Sequence, residues 1–136
     1  MNRIAGGFTI VAGAFVILSA LAPWATSEGP FSQNGLSRGD GWIAAGLGVA
    51  LIGFGALAGS GRAGRLVRSG TLAVAAVGLV LGLLEQAKVG GAIAALSPTV
   101  HLGIGIYLLA AASVLALVAA WRGPPGEPGA ARPQKV

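Results

Sequence analysis

The chain has 136 residues, 54% of them hydrophobic and 10% charged, with a net charge of +5 at pH 7, no cysteine and one histidine. Soluble domains carry about a quarter charged residues, so no separate soluble domain fits. The missing cysteines exclude disulfides and thiolate chemistry, and one histidine excludes a multi-histidine metal centre.

A helix needs about 20 mainly apolar residues to cross a hydrocarbon core of about 30 Å. Four stretches meet that requirement: 4–21, 42–59, 69–87 and 98–121. The expected fold is all-α, a four-helix transmembrane bundle over residues 1–122, and the four helices with their links use up nearly the whole chain. The Pro-, Gly- and Ala-rich residues 123–136 read as a disordered cytoplasmic tail.

Arg3 and the first apolar run end at Ala20-Leu21-Ala22, which also resembles a signal-peptide cleavage site. Pro23 directly after it disfavours cleavage, so the first helix is expected to stay. The loop from Pro23 to Gly41 is the longest polar segment. Its Asn34-Gly35 dipeptide predicts a type I′ turn, and hence a short hairpin, between residues 31–33 and 36–38. Asp40 is placed to cap the second helix.

The next link holds Arg62, Arg65 and Arg68. It also contains Gly59-x-Gly61-x-x-Gly64, a match in letters to a dinucleotide fingerprint that requires a βαβ unit. After a membrane helix that match is coincidence, and the three arginines are expected to meet lipid headgroups. The third helix closes on Glu85-Gln86-Ala87-Lys88. Residues 89–96 are apolar but too few to span, so a packed loop is expected. Ser97 as N-cap and Pro98 at the first helical position open the fourth helix.

Basic residues at helix ends stay on the cytoplasmic side. Arg3, Arg62, Arg65, Arg68, Arg122, Arg132 and Lys135 fall on one side of a four-pass arrangement, and only Arg38 and Lys88 on the other. Both termini are therefore expected in the cytoplasm, with the chain in the plasma (inner) membrane. Trp24, Trp42 and Trp121 fall at helix ends and read as interfacial anchors. The basic residues meet headgroups in this frame, and nucleic acid is not an expected partner.

Small residues recur on helix faces: Gly48, Gly55 and Gly59 in the second helix, Gly78 and Gly82 in the third, Ala112 and Ala116 in the fourth. In lipid such faces let backbones approach, so these residues form the candidate packing or partner face. Ionisable residues inside a membrane segment are functional candidates, and Glu85 is one. Lys88 lies three residues on, and His101 is expected in the first turn of the fourth helix at the same level, giving a candidate polar site of Glu85, Lys88 and His101. No catalytic set, metal site or cofactor is expected. Ser113 and His101 on one helix would stand about 18 Å apart, too far for a dyad.

Leu21-Ala22-Pro23-Trp24, a Ser/Gly loop and Gly39-Asp40-Gly41-Trp42 carry a pattern-level resemblance to small four-helix bacterial membrane proteins, covering about residues 4–59. A claudin-like arrangement is similar in outline, but the paired loop cysteines of that family are missing, so its function is not carried over. These features lead to an expected non-catalytic accessory, scaffold or assembly subunit that associates with a larger membrane complex or with itself. The alternative is a small oligomeric transporter or channel using Glu85 and His101.

Overall fold

The computed structural model describes residues 1–27, 32–62, 64–96 and 100–122. Four helices follow one another antiparallel: α1 (Arg3–Leu21), α2 (Asp40–Gly59), α3 (Arg65–Leu96) and α4 (Ile104–Arg122). All four are long and apolar enough to span a membrane. They form a closed ring in which α1 packs on α2 and α4, and α3 on α4 and α2. Three short strands, β1 (Pro23–Ser27), β2 (Ser32–Asn34) and β3 (Val100–Leu102), make an antiparallel sheet in the order β2-β1-β3. It caps the end of the bundle away from the amino terminus.

α1 and α4 bury broad faces that include adjacent pairs such as Ala12–Gly13 and Ala112–Ser113, and α2 and α3 bury narrower stripes spaced three and four residues apart. In α2 the stripe runs Gly41, Ala44, Gly48, Leu51, Gly55 and Ala58. In α3 it runs Val67, Thr71, Ala75, Gly78, Gly82, Glu85 and Val89. A stripe with that period packs helices at a shallow angle in the manner of a coiled coil. The other faces carry large exposed apolar side chains, among them Phe8, Val11 and Phe15 on α1 and Val77, Val80 and Leu84 on α3. Such a surface suits lipid.

The closest contact joins α1 to α2. A Cβ on Gly13 would lie 2.6 Å from the Gly48 carbonyl oxygen, and one on Gly48 would lie 2.7 Å from the Gly13 carbonyl oxygen. Gly6 and Gly55 repeat this reciprocal contact one heptad away, at 2.8 Å in both directions. Backbone meets backbone here, so dispersion and C–H···O contacts act over the whole length of the pair.

The helix ends are closed locally. The Asn2 side chain accepts a hydrogen bond from the Ala5 amide at 2.8 Å and caps α1. At the end of α2, Gly61 has φ +81°, its amide bonds Ala58 O, and the Arg62 amide bonds Leu57 O. That is a Schellman stop, and it gives Gly61 of the Gly59-x-Gly61-x-x-Gly64 string a structural role.

Several sequence expectations change. α3 begins at Arg65, not 69, and runs on to Leu96, because Val89 continues the buried stripe one step past Glu85 and is 2% exposed. Residues 89–96 are therefore helix, not loop. α4 begins at Ile104, since Val100–Leu102 is held extended against β1. Ser97-Pro98 and residues 123–136 lie outside the described residues. Asp40 sits in the first turn of α2 and does not cap it; the cap is Gly39 at φ +89°. Gly35 has φ −58° and Leu36–Arg38 form a 3₁₀ turn, so Asn34-Gly35 is not a type I′ turn. The strand facing β2 is β1, upstream of it.

Glycine-mediated contact of α1 with α2 carries a direct consequence. Gly48→Ala lowers stability by about 1–3 kcal/mol, because a backbone carbonyl must move to admit the methyl group. Gly46→Ala, where a Cβ meets nothing within 4 Å, leaves it unchanged or raises it by up to about 1 kcal/mol. Reversible unfolding in mixed detergent micelles measures both, and equal losses would contradict the contact.

Candidate functional site

The polar residues of the bundle interior are mostly silent. Thr9, Thr71 and Ser113 donate to the carbonyls of Ala5, Val67 and Leu109, four residues back, each at 2.8 Å, and Ser19 donates to Val16 at 2.6 Å. A hydroxyl whose proton is used inside its own helix has none to donate to a neighbour. Ser113 sits against Gly78, where a Cβ would come within 2.7 Å of its Oγ.

Glu85 is the exception. It lies on the buried stripe of α3 and is 1% exposed. Its Oε1 accepts a hydrogen bond from Lys88 Nζ at 2.6 Å, and its Oε2 is buried without a partner. Lys88 is half-exposed, and its Nζ also stands 3.5 Å from Asp40 Oδ2 in the first turn of α2. One ammonium thus bridges a buried and a half-exposed carboxylate and ties α3 to the start of α2 beneath the sheet. Burying a carboxylate is costly unless it is paired and hydrogen-bonded, and here only one oxygen is satisfied. Asp40 at the N-terminus of α2 also complements the helix dipole.

Sequence reasoning missed Asp40 as the third member. The available signal was level: in a four-pass arrangement the start of the second helix and the end of the third lie at the same depth. Glu85 is the intramembrane candidate of the sequence, and the structure places it in the bundle interior. The 4-3-4-3-4 spacing of Thr71, Ala75, Gly78, Gly82, Glu85 and Val89 marks it as interior. His101 is on β3, opposite Thr26, with its side chain exposed, and not in the first turn of α4. Among the described residues no three His, Asp or Glu side chains gather as metal ligands.

The tryptophans divide. Trp42 and Trp121 are 68% and 74% exposed, at opposite ends of the bundle. Trp24 is fully buried and is not at the lipid boundary. The β1–β2 register slips between Pro23 and Ala25, and this bulge turns the indole down into the bundle. Its Nε1 donates to Ser19 O at 2.7 Å. The ring packs so closely on Gly35 and Gly105 that a Cβ on either would come within about 2.5 Å of it.

Most of the small-residue positions are turned inward; Gly59 is not, since a Cβ there would meet nothing within 4 Å. Gly48 and Gly55 face α1, Gly78 faces Ser113, Gly82 lies by Ala110, and Ala112 and Ala116 are buried in the main core. The Gly59 amide nitrogen stands against Gly6. Arg62 and Arg65 are exposed. Arg68 instead reaches α4, its Nε donating to Ala120 O at 3.1 Å and its Nη2 to Trp121 O at 3.3 Å. It caps the last carbonyls of that helix, which have no partner within it.

These features define a multi-pass membrane protein whose helical bundle is closed at one end by a small sheet over a buried tryptophan. Comparison of the chain with models of protein families, with curated proteins and with solved structures finds no match.

Lys88→Met strands the buried Glu85 carboxylate and is expected to lower the melting temperature in detergent by several degrees. The double variant Glu85→Leu/Lys88→Met recovers most of that loss, since an apolar pair replaces the ionic one without a desolvated charge. Identical melting of the single and double variants would contradict the buried ion pair.

Proposed function

We propose that this chain is a non-catalytic integral membrane accessory, scaffold or assembly subunit that works by lateral association with another membrane helix. The observation that carries the reading is the outward face of α2. The packing glycines of α2 are used against α1, yet Gly46, Gly53 and Ala56 remain turned outward. Among the described residues, a Cβ on Gly46 or Gly53 would meet no atom beyond its own stretch of helix within 4 Å. Ala50, Gly53, Phe54, Ala56, Leu57 and Ser60 line a shallow apolar hollow there. Small residues facing lipid leave room for a second backbone, and that close approach drives association where hydrophobic burial cannot. The sheet and the loop from Pro23 to Gly41 supply a second contact surface outside the bilayer.

The orientation in this reading follows from charge. Arg3, Arg62, Arg65, Arg68 and Arg122 cluster at the end opposite the sheet, so that end faces the cytoplasm of a plasma (inner) membrane and the sheet faces outward. A transporter or channel using Glu85 and His101 is the weaker reading. Lys88 closes one oxygen of Glu85, and His101 stands on the sheet and not among the helices.

Two experiments test the proposal. Extracted in mild detergent, the wild-type chain is expected to run as an oligomer or with a co-purifying membrane protein. Gly53→Ile abolishes this at unchanged melting temperature. A wild-type chain that is monomeric and alone would overturn the association. For orientation, Arg65→Cys in this cysteine-free chain is expected to react with an impermeant maleimide only from the cytoplasmic side; reaction from the outer side would overturn it.

A further inference from the structure

The end of the bundle that gathers the arginines has two apolar grooves, and they share one wall. The first lies between α1 and α4, lined by Ile4, Ala5, Phe8, Leu115, Val118 and Arg122 among others, with a volume of about 310 Å³. The second lies between α4 and α3, lined by Leu72, Leu117, Val118, Trp121 and Arg122, with a volume of about 390 Å³. Val118 and Arg122 are one helical turn apart and both exposed, so they form a ridge with a groove on either flank. Both grooves open on the lipid-facing side.

We propose that this ridge is a binding site for one anionic glycerophospholipid, with an acyl chain in each groove and the phosphate on Arg122. Three observations carry it. The grooves are apolar along their length and polar only at the mouth, where Arg122 lines both and Asn2 lines the first. Two tails joined at one glycerol need two adjacent channels meeting at one polar point, and a single-chain ligand would need only one. Charge is complementary: Arg122 lies near Arg3, Arg68 and the amino terminus, and the described carboxylates, Asp40 and Glu85, lie at the other end of the bundle. Arg68 is occupied with the carbonyls of Ala120 and Trp121, and Arg122 is the arginine that lines both grooves, so its guanidinium meets the phosphate. Arginine suits this role because its planar fork matches two phosphate oxygens.

Trp121 in the wall of the second groove makes the site measurable. In a Trp42→Phe variant the only other tryptophan is Trp24, which is fully buried at the far end. Reconstituted into phosphatidylcholine bilayers, this protein is titrated with phosphatidylglycerol or phosphatidylcholine brominated near the glycerol end of the chains, and Trp121 fluorescence is followed. The expected result is about a fivefold preference for the anionic lipid, the factor that one basic side chain contributes near such a headgroup. Arg122→Gln abolishes the preference, Arg122→Lys retains only part of it because lysine keeps the charge and loses the two-pronged contact, and Arg62→Gln leaves it unchanged. No preference in the parent, or a preference that survives Arg122→Gln, would overturn the site. So would an equal loss in Arg62→Gln, which would mark the effect as diffuse surface charge.

Discussion

The structure depends on one constraint, the direct backbone contact of α1 with α2. Gly6 and Gly13 on one helix meet Gly55 and Gly48 on the other, so the two axes come closer than any side chain would allow. The register follows from this contact. Because the reciprocal pairs are one heptad apart, Ala20 falls level with Gly41, and the end of α1 stands beside the start of α2. The chain leaving α1 can then enter β1 at once, drop Trp24 into the mouth of the bundle, and return along β2 to Gly35 beneath the same indole. The sheet, the buried tryptophan and the closeness of Asp40 to α3 all follow from helices held at that spacing. In lipid, where apolar surface gains little from meeting other apolar surface, such close approach is the main way to specify a pairing.

The distribution of polarity is the second organising fact. Hydroxyls inside the bundle donate within their own helices, and charge is sorted to the ends, Arg3, Arg62, Arg65, Arg68 and Arg122 at one, and Arg38 with the Asp40–Lys88–Glu85 group at the other. Among the described residues the buried carboxylate, Glu85, is held next to the sheet, where Lys88 can keep much of its side chain exposed while its ammonium reaches inward. That placement limits the cost of an ion pair in an apolar setting. The outward surface is then the part of the molecule with scope for recognition. Two of its features carry the proposals made above: the small-residue face of α2 and the paired grooves about Arg122. The first supports the proposed docking of a partner helix, and the second the proposed lipid site.

The four apolar stretches were legible in the sequence, because length and hydropathy are local properties and the bilayer demands both. The arginine asymmetry was equally plain as a pattern. Features that depend on a partner element were not. Trp24 looks like a boundary residue until the bulge in β1 turns it inward. Val100–Leu102 has no strand signal of its own and is extended only because β1 offers an edge. Residues 89–96 are too few to span alone, but Val89 has a place in the core that outweighs the intrinsic cost of Gly90 and Gly91 in a helix, about 1 kcal/mol each. Gly48 and Gly55 were visible as a packing face, yet nothing in one chain distinguishes an inner partner from an outer one. The buried position of Glu85 was available from heptad spacing and was obscured by its nearness to Lys88.

The most direct test of the central contact uses the native sequence. Nuclear Overhauser spectroscopy of the isotope-labelled protein in lipid nanodiscs can detect protons on facing glycines. The account predicts cross-peaks between the Cα protons of Gly13 and Gly48 and between those of Gly6 and Gly55. Cross-peaks from these glycines to lipid chains alone, or between α1 and α2 in a shifted register, would contradict it.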